Sequence, residues 1–255
     1  MSMLCSHTWH PYDAPPAGGW GSNDVFDRCD VCGVVRTVSM DPPSAPIYDE
    51  RAYLNHSDHF TEDGIPKCRS YMGSRLPPLL LGGFDKPHGC HRLLQIGPGI
   101  GQMTHTLAAW GWRVECCEVG EWAAHYLSEA YPTVAVHRAD WMQWELPRQY
   151  DAITGNHVLE HFRDAERALL KMADALTEGG KLYLELPAQI LDDGASNEHA
   201  WPAGLHNHDH WWHFSERTLR TWLHNAGLVD IAFANTVRAN EGGKLMDYHV
   251  VARRA

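Results

Sequence analysis

Apolar and polar positions change rhythm several times along the 255 residues, and each change marks an element. The sharpest change lies at Leu93, Leu94 and Ile96. This short apolar run ends in three glycines at alternate positions, Gly97, Gly99 and Gly101. The pattern predicts a strand, a tight turn and then a helix over 102–110. Glycine admits positive φ and lets a ligand lie against bare main chain. The helix start offers N–H groups to a polar or anionic ligand. Upstream, 67–81 reads as a helix whose regular part Pro77 and Pro78 should end, and 82–91 reads as a loop. Further on, 188–213 is a long polar connection. Ser215 is a good N-cap and Gly227 a good stop for a late helix. Segments 228–234 and 244–252 read as a closing antiparallel pair.

Size allows one full α/β domain and an appendage. The hydrophobic content of 44% is that of a soluble globular chain, and no apolar run approaches membrane-spanning length. The formal net charge is −11 with both signs interspersed, which argues against a broad nucleic-acid surface. Seven cysteines without a basic-then-apolar leader fit a reducing cytoplasm better than a disulfide framework. Eighteen histidines leave the charge less negative in mild acid. Oligomeric state is not readable.

The first forty residues carry two ligand pairs, Cys5 with His7 and Cys29 with Cys32. Cys-x-x-Cys followed by Gly33 presents two sulfurs to one ion, and glycine permits the tight backbone. The intervening 11–27 is rich in Pro and Gly and needs a staple to be ordered. A structural zinc ion on these four residues is expected, with His10 as a competitor for the histidine position.

The glycine spacing decides between nucleotide classes. Gly-x-Gly-x-x-Gly fails, since Gln102 and Thr104 stand where the last glycine should be. Gly-x-Gly-x-Gly resembles the first motif of the class I S-adenosylmethionine (SAM)-dependent methyltransferases. The likeness continues in register. Segment 113–118 resembles their second strand, and Glu118 stands where a ribose-binding carboxylate is expected. Segment 134–140 resembles the third strand and ends at Asp140, which in the family meets the adenine amino group. Segment 150–161 resembles the fourth strand with its Val-Leu-Glu-His signature, and 176–187 the fifth with its Gly-Gly entry. Gln95 departs from the family's usual acid: it keeps an acceptor oxygen and loses the charge.

The resemblance implies a Rossmann-like, seven-stranded, doubly wound sheet with the last strand antiparallel. It divides the chain into a zinc knuckle (1–40), a linker and lid (41–90) and a methyltransferase domain (91–255). SAM would be held by Gln95, Gly97, Gly99, Gly101, Glu118, Val119, Asp140, Trp141 and Asn156, with Tyr48 or Tyr53 in a segment folded over its methionine end. The acceptor, a small molecule or peptide, would meet a wall built by 188–213, which carries His199, His206, His208, His210 and His213. A metal site, a general base and a plain surface loop are all open readings of that wall; His161 and His213 are the candidate catalytic groups. Relatives with Glu at the first position of the signature bind a divalent ion there. This chain has His157 instead, so Glu160 and His161 read as a hydrogen-bonding element at a helix start. A non-catalytic SAM-binding protein that docks a partner, and a SAM-using enzyme of another reaction type, are the alternatives.

Overall fold

The apolar run after Arg92 becomes an inner strand of a seven-stranded sheet. The computed structural model describes residues 3–13, 24–39, 72, 75–85, 91–188, 209–240 and 243–255. Strand β4 (Arg92–Ile96) lies between β5 (Arg113–Glu118) and β7 (Tyr150–Asn156), parallel to both. The sheet runs β10-β11-β8-β7-β4-β5-β6, with β6 (Ala135–Arg138) at one edge. On the other side come β8 (Leu176–Pro187), β11 (Gly243–Arg254) and β10 (Leu228–Asn240). β11 pairs antiparallel with both β8 and β10, so it is the one reversed strand. The closing pair is the expected hairpin, longer at both ends.

Alternate side chains of a strand face opposite ways, and β4 shows the consequence. Leu93 joins an apolar layer with Leu107 and Leu79, whereas Leu94 joins a larger one with Leu169 and Trp222. The first layer holds α1 (Leu76–Leu81) and α2 (Gln102–Ala109); the second holds α4 (Ala165–Ala175) and α5 (Glu216–Asn225). Helix α3 (Glu121–Ala130) follows β5 and buries Ala123 and Leu127. Asp164 caps α4 by accepting from the Arg167 N–H at 3.0 Å. Ser215 caps α5 through the Thr218 N–H at 3.2 Å. Covered on both faces, β4 has no polar rhythm to show, as a buried parallel strand should not.

The prolines act differently from the expectation. Pro77 and Pro78 open α1 instead of ending it. A first-turn residue has no intrahelical acceptor for its N–H, so proline loses nothing there.

A second sheet is antiparallel, ordered β1-β2-β3-β9. Its first three strands are β1 (Trp9–Tyr12), β2 (Val25–Cys29) and β3 (Val35–Ser39). The fourth, β9 (Trp212–His213), comes from the far end of the chain, with Val35 opposite His213. Leu4, Cys5, Cys29, Cys32 and Val34 share one core with Trp222, Leu169 and Leu94. The described N-terminal residues, 3–13 and 24–39, therefore pack into the core of the main sheet, and their own sheet is completed by 212–213.

Glycine is demanded at Gly101. Its φ is +80°, and an added Cβ would lie 2.6 Å from Leu127 Cδ2 and against the Tyr131 ring. Gly101→Ala should therefore cost about 1–3 kcal/mol in overpacking alone. Urea unfolding measures it; an unchanged midpoint contradicts this packing.

Candidate active site

The glycine turn joins β4 to α2 with Gly97, Gly99 and Gly101 all at positive φ. Glu118, at the carboxyl end of β5, reaches across to it. One carboxylate oxygen accepts from the Gly99 N–H at 3.1 Å and the other from the Gly120 N–H at 2.8 Å. Burial pushes the Glu118 carboxyl up, and these backbone donors offset only part of that. Each oxygen can accept a second hydrogen bond, so the group is held in place with acceptor capacity to spare. Val119 stands beside it, 55% exposed, an apolar side chain left open at the sheet's edge. Gln95 is buried and accepts from the Thr104 hydroxyl at 2.7 Å. Its amide thus braces β4 against α2, which needs an acceptor and no charge.

Asp140 is exposed just past β6 and caps its own turn. It accepts from the Met142 N–H at 2.9 Å and from the Gln143 amide at 3.1 Å. Trp141 turns the other way: its indole is buried, donates to the Ala168 carbonyl at 3.4 Å and lies under the Lys171 ammonium. The indole is committed to the core.

Asn156 ends β7. Its amide nitrogen donates to Glu185 at 2.6 Å, while its buried Oδ1 has no hydrogen-bond partner among the described residues. Glu185, fully buried at the end of β8, is the hub. The Arg75 guanidinium grips it with two bonds, 2.5 and 2.6 Å. The His157 ring stands 3.3 Å away. Burial would raise the Glu185 carboxyl, but Arg75, then His157, hold it well below the usual carboxylate range. His157 sits at φ +49°. Burial works against its charge, yet the Glu160 and Glu185 carboxylates outweigh burial and raise it to about 10.

The single 3₁₀ turn Leu159–His161 follows. His161 is partly buried, and its Nδ1 donates to the Asp209 carbonyl at 2.9 Å. His210 meets it edge to face at 4.8 Å between ring centres. Burial, then the neighbouring imidazoles, hold His210 well below the usual histidine range. His213 is fully buried in the small sheet, with Nε2 3.0 Å from the Thr37 hydroxyl and Phe26 edge-on. Tyr48, Tyr53, His199, His206 and His208 lie outside the described residues.

The cysteine pairs converge. Cys5, His7, Cys29 and Cys32 hold their ligand atoms within 4.8 Å of one another. Cys5 Sγ lies 3.9 Å from Cys29 Sγ, and Cys32 Sγ lies 3.8 Å from His7 Nδ1. A tetrahedron with arms of about 2.3 Å has edges of about 3.8 Å, so the four donors fit a zinc ion. Burial opposes the Cys29 thiolate, but the Cys32 N–H and the His7 ring bring it down to about 6. Burial and the facing thiols push Cys5 up. A dication would reconcile these neighbours. Glu166, on α4, stands 3.3 Å from His7 Nε2 and accepts from the Cys5 N–H at 3.1 Å. A carboxylate behind the outer nitrogen of a ligating histidine is the usual support of such a site. His10 is elsewhere, paired with Asp30 at 2.8 Å.

Arg75, Glu185 and Glu166 were not singled out by sequence. Glu185 carried the one usable signal: a lone acid inside the apolar run 182–187 needs a partner if it is buried.

The family model described as "Methyltransferase domain" matches residues 53–232, and the chain belongs to that family. That family makes it a methyltransferase. Solved structures share the fold. YcgJ from Bacillus subtilis is 14% identical with a TM-score of 0.56, covering 71% of this chain and 98% of its own. A SAM-dependent methyltransferase from Methanosarcina mazei is 16% identical with a TM-score of 0.53, covering 69% and 96%. The magnesium protoporphyrin IX methyltransferase of Synechocystis, solved with bound SAM, is 16% identical with a TM-score of 0.51, covering 74% and 79%. No curated protein matches the sequence.

The Glu185 pair generates a stability prediction. Arg75→Met strands a buried carboxylate and should cost about 3–5 kcal/mol at neutral pH. The folded-state pKa of Glu185 is depressed, so the pair's contribution is complete above the ordinary glutamate value near 4.3 and is lost as pH falls. Urea unfolding at neutral pH and at about pH 3 should show the gap between variant and wild type shrinking in acid. A gap independent of pH contradicts the assignment.

Proposed function

We propose that SAM lies across the carboxyl ends of β4, β5, β6 and β7 and that its methyl group goes to a small-molecule or peptide acceptor. The observation that carries this reading is the Glu118 carboxylate, docked on the Gly99 and Gly120 amides beside the glycine turn. In this reading its remaining lone pairs accept the two ribose hydroxyls, and Gly97, Gly99 and Gly101 let the ligand approach the main chain. Val119 and Asp140 flank the adenine, and Trp141 takes part through its main chain alone. The unpartnered Asn156 Oδ1 gives an acceptor toward the ligand's methionine end. Gln95 supports the loop from behind.

SAM supplies an activated methyl group, so the protein's task is alignment of the acceptor lone pair with the methyl–sulfur bond. His161 is the group we assign to activating an acceptor that must lose a proton. Its bond to the Asp209 carbonyl fixes the tautomer and leaves the Nε2 lone pair toward the signature turn. His213, buried against Thr37, belongs in this reading to the wall's packing. Buried reduced cysteines fit work in the cytoplasm.

Calorimetry with SAM, together with release of S-adenosylhomocysteine in the presence of candidate acceptors, tests the assignment. Glu118→Ala should weaken SAM binding by roughly 1.5–3 kcal/mol, the cost of a lost charged acceptor. Equal affinity of variant and wild type would remove Glu118 from the site.

We further propose one structural zinc ion on Cys5, His7, Cys29 and Cys32, with Glu166 orienting His7. Protein purified without added metal should carry zinc at these residues, and Cys29→Ser should lose it and melt at a lower temperature. Zinc content unchanged by Cys29→Ser contradicts the ligand set.

A further inference from the structure

We propose a second metal site, for a first-row transition-metal dication, formed by Glu160, His161 and His210. The starting observation is a buried carboxylate whose nearest partner, the His157 ring, is held at long range. The Glu160 side chain is 1% exposed, and among the described residues neither carboxylate oxygen has a hydrogen-bond partner within normal bonding distance. The nearest histidine nitrogens stand 3.5 Å away on His157 and 4.0 Å away on His161, beyond the 2.7–2.9 Å of a charge-assisted bond. A carboxylate left this way is expensive unless something compensates it.

The second observation is the company it keeps. Glu160, His161 and His210 place one ligand atom each within 4.8 Å of one another. The His161 Nδ1–H is committed to the Asp209 carbonyl at 2.9 Å, so Nε2 carries the lone pair, and Nε2 is the atom nearest Glu160. That is how a ligating histidine is ordinarily held. The backbone positions the rest. The Trp211 N–H donates to the Glu160 carbonyl at 2.8 Å, and the Thr37 hydroxyl donates to the His210 carbonyl at 2.8 Å. The three donors thus come from two chain segments that are pinned to each other and to the small sheet.

Two imidazoles and one carboxylate select the ion's class. Magnesium and calcium prefer oxygen alone, whereas imidazole suits zinc, iron, copper or nickel. Three protein ligands leave coordination positions open, as in catalytic sites rather than closed structural ones. An acceptor oxygen, hydroxyl or carboxylate, fits an open position, and in the metal-loaded protein the ion, not the ligating His161 Nε2, would lower the acceptor's pKa. That last clause rests on the methyl-transfer reading; metal binding does not. The neighbouring cluster of His157, Glu185 and Asp247 is a poorer host, because Glu185 is already filled by Arg75 and Asn156.

The site also differs from one read on the signature alone. Position 157 is not a ligand, and the third donor, His210, lies in a segment distant in sequence.

The test uses the full chain, stripped of bound zinc with a chelator and then titrated with cobalt(II). Thiolate ligation at the cysteine cluster gives an intense near-ultraviolet band; a nitrogen–oxygen site gives weak visible bands and none in the near ultraviolet. The expected result is two cobalt ions in wild type, and one in Glu160→Gln and in His210→Asn, each with the thiolate band intact. One ion in wild type and none in the variants would keep this site while removing the cysteine site. Equal occupancy in wild type and both variants overturns the proposal. A reading independent of variants is anomalous scattering from wild-type crystals soaked in cobalt(II). A peak among Glu160, His161 and His210 supports the site; a peak at the cysteines alone overturns it.

Discussion

The carboxyl ends of β7 and β8 lean on one buried carboxylate. Glu185 receives the Arg75 guanidinium just ahead of α1, the Asn156 amide at the end of β7 and the His157 ring just past it. A charge with no exposure survives there because these donors surround it. The same bonds fix where the chain leaves β7. His157 adopts a left-handed turn, and its N–H donates to the Glu185 carbonyl at 2.8 Å. Asn156 spends its donor on Glu185 and keeps its acceptor unspent. The hub thus orders one side of the ligand cleft. Glu118 orders the other by holding the glycine turn.

The two sheets are coupled through the wall they share. Trp212 and His213 complete the N-terminal sheet, and the residues just before them, Asp209 and His210, bond to His161 and Thr37. The Cys32 carbonyl accepts from the Thr218 hydroxyl at the start of α5. Glu166 ties the cysteine cluster to α4. The small module is therefore tied to the segment that carries His210.

What the sequence disclosed follows from how local each signal is. The strand–turn–helix at Leu93 to Trp110 is a matter of neighbouring residues, and its boundaries agree within one residue. The helix cap at Ser215 is equally local. Pro77 and Pro78 misled because proline forbids a helix interior and favours its first turn, and the residues alone do not say which is present. Long-range pairs were out of reach: Arg75 meets Glu185 across 110 positions, and Thr37 meets His210 across 173. Gln95 was visible as a departure from the family, but its use as a brace needed Thr104 beside it. Trp141 was placed by register, which does not say to which face its indole turns.

The central claim is that Glu118 and the glycine turn form a cradle already set for the ribose of SAM. A crystal structure of the chain with S-adenosylhomocysteine tests it most directly. The account predicts both ribose hydroxyls on the Glu118 carboxylate, the adenosyl group against Gly97 and Gly99, and the Glu185 network unchanged. A ligand seated elsewhere, or a Glu118 side chain still occupied only by the Gly99 and Gly120 amides with the ribose out of reach, would contradict it.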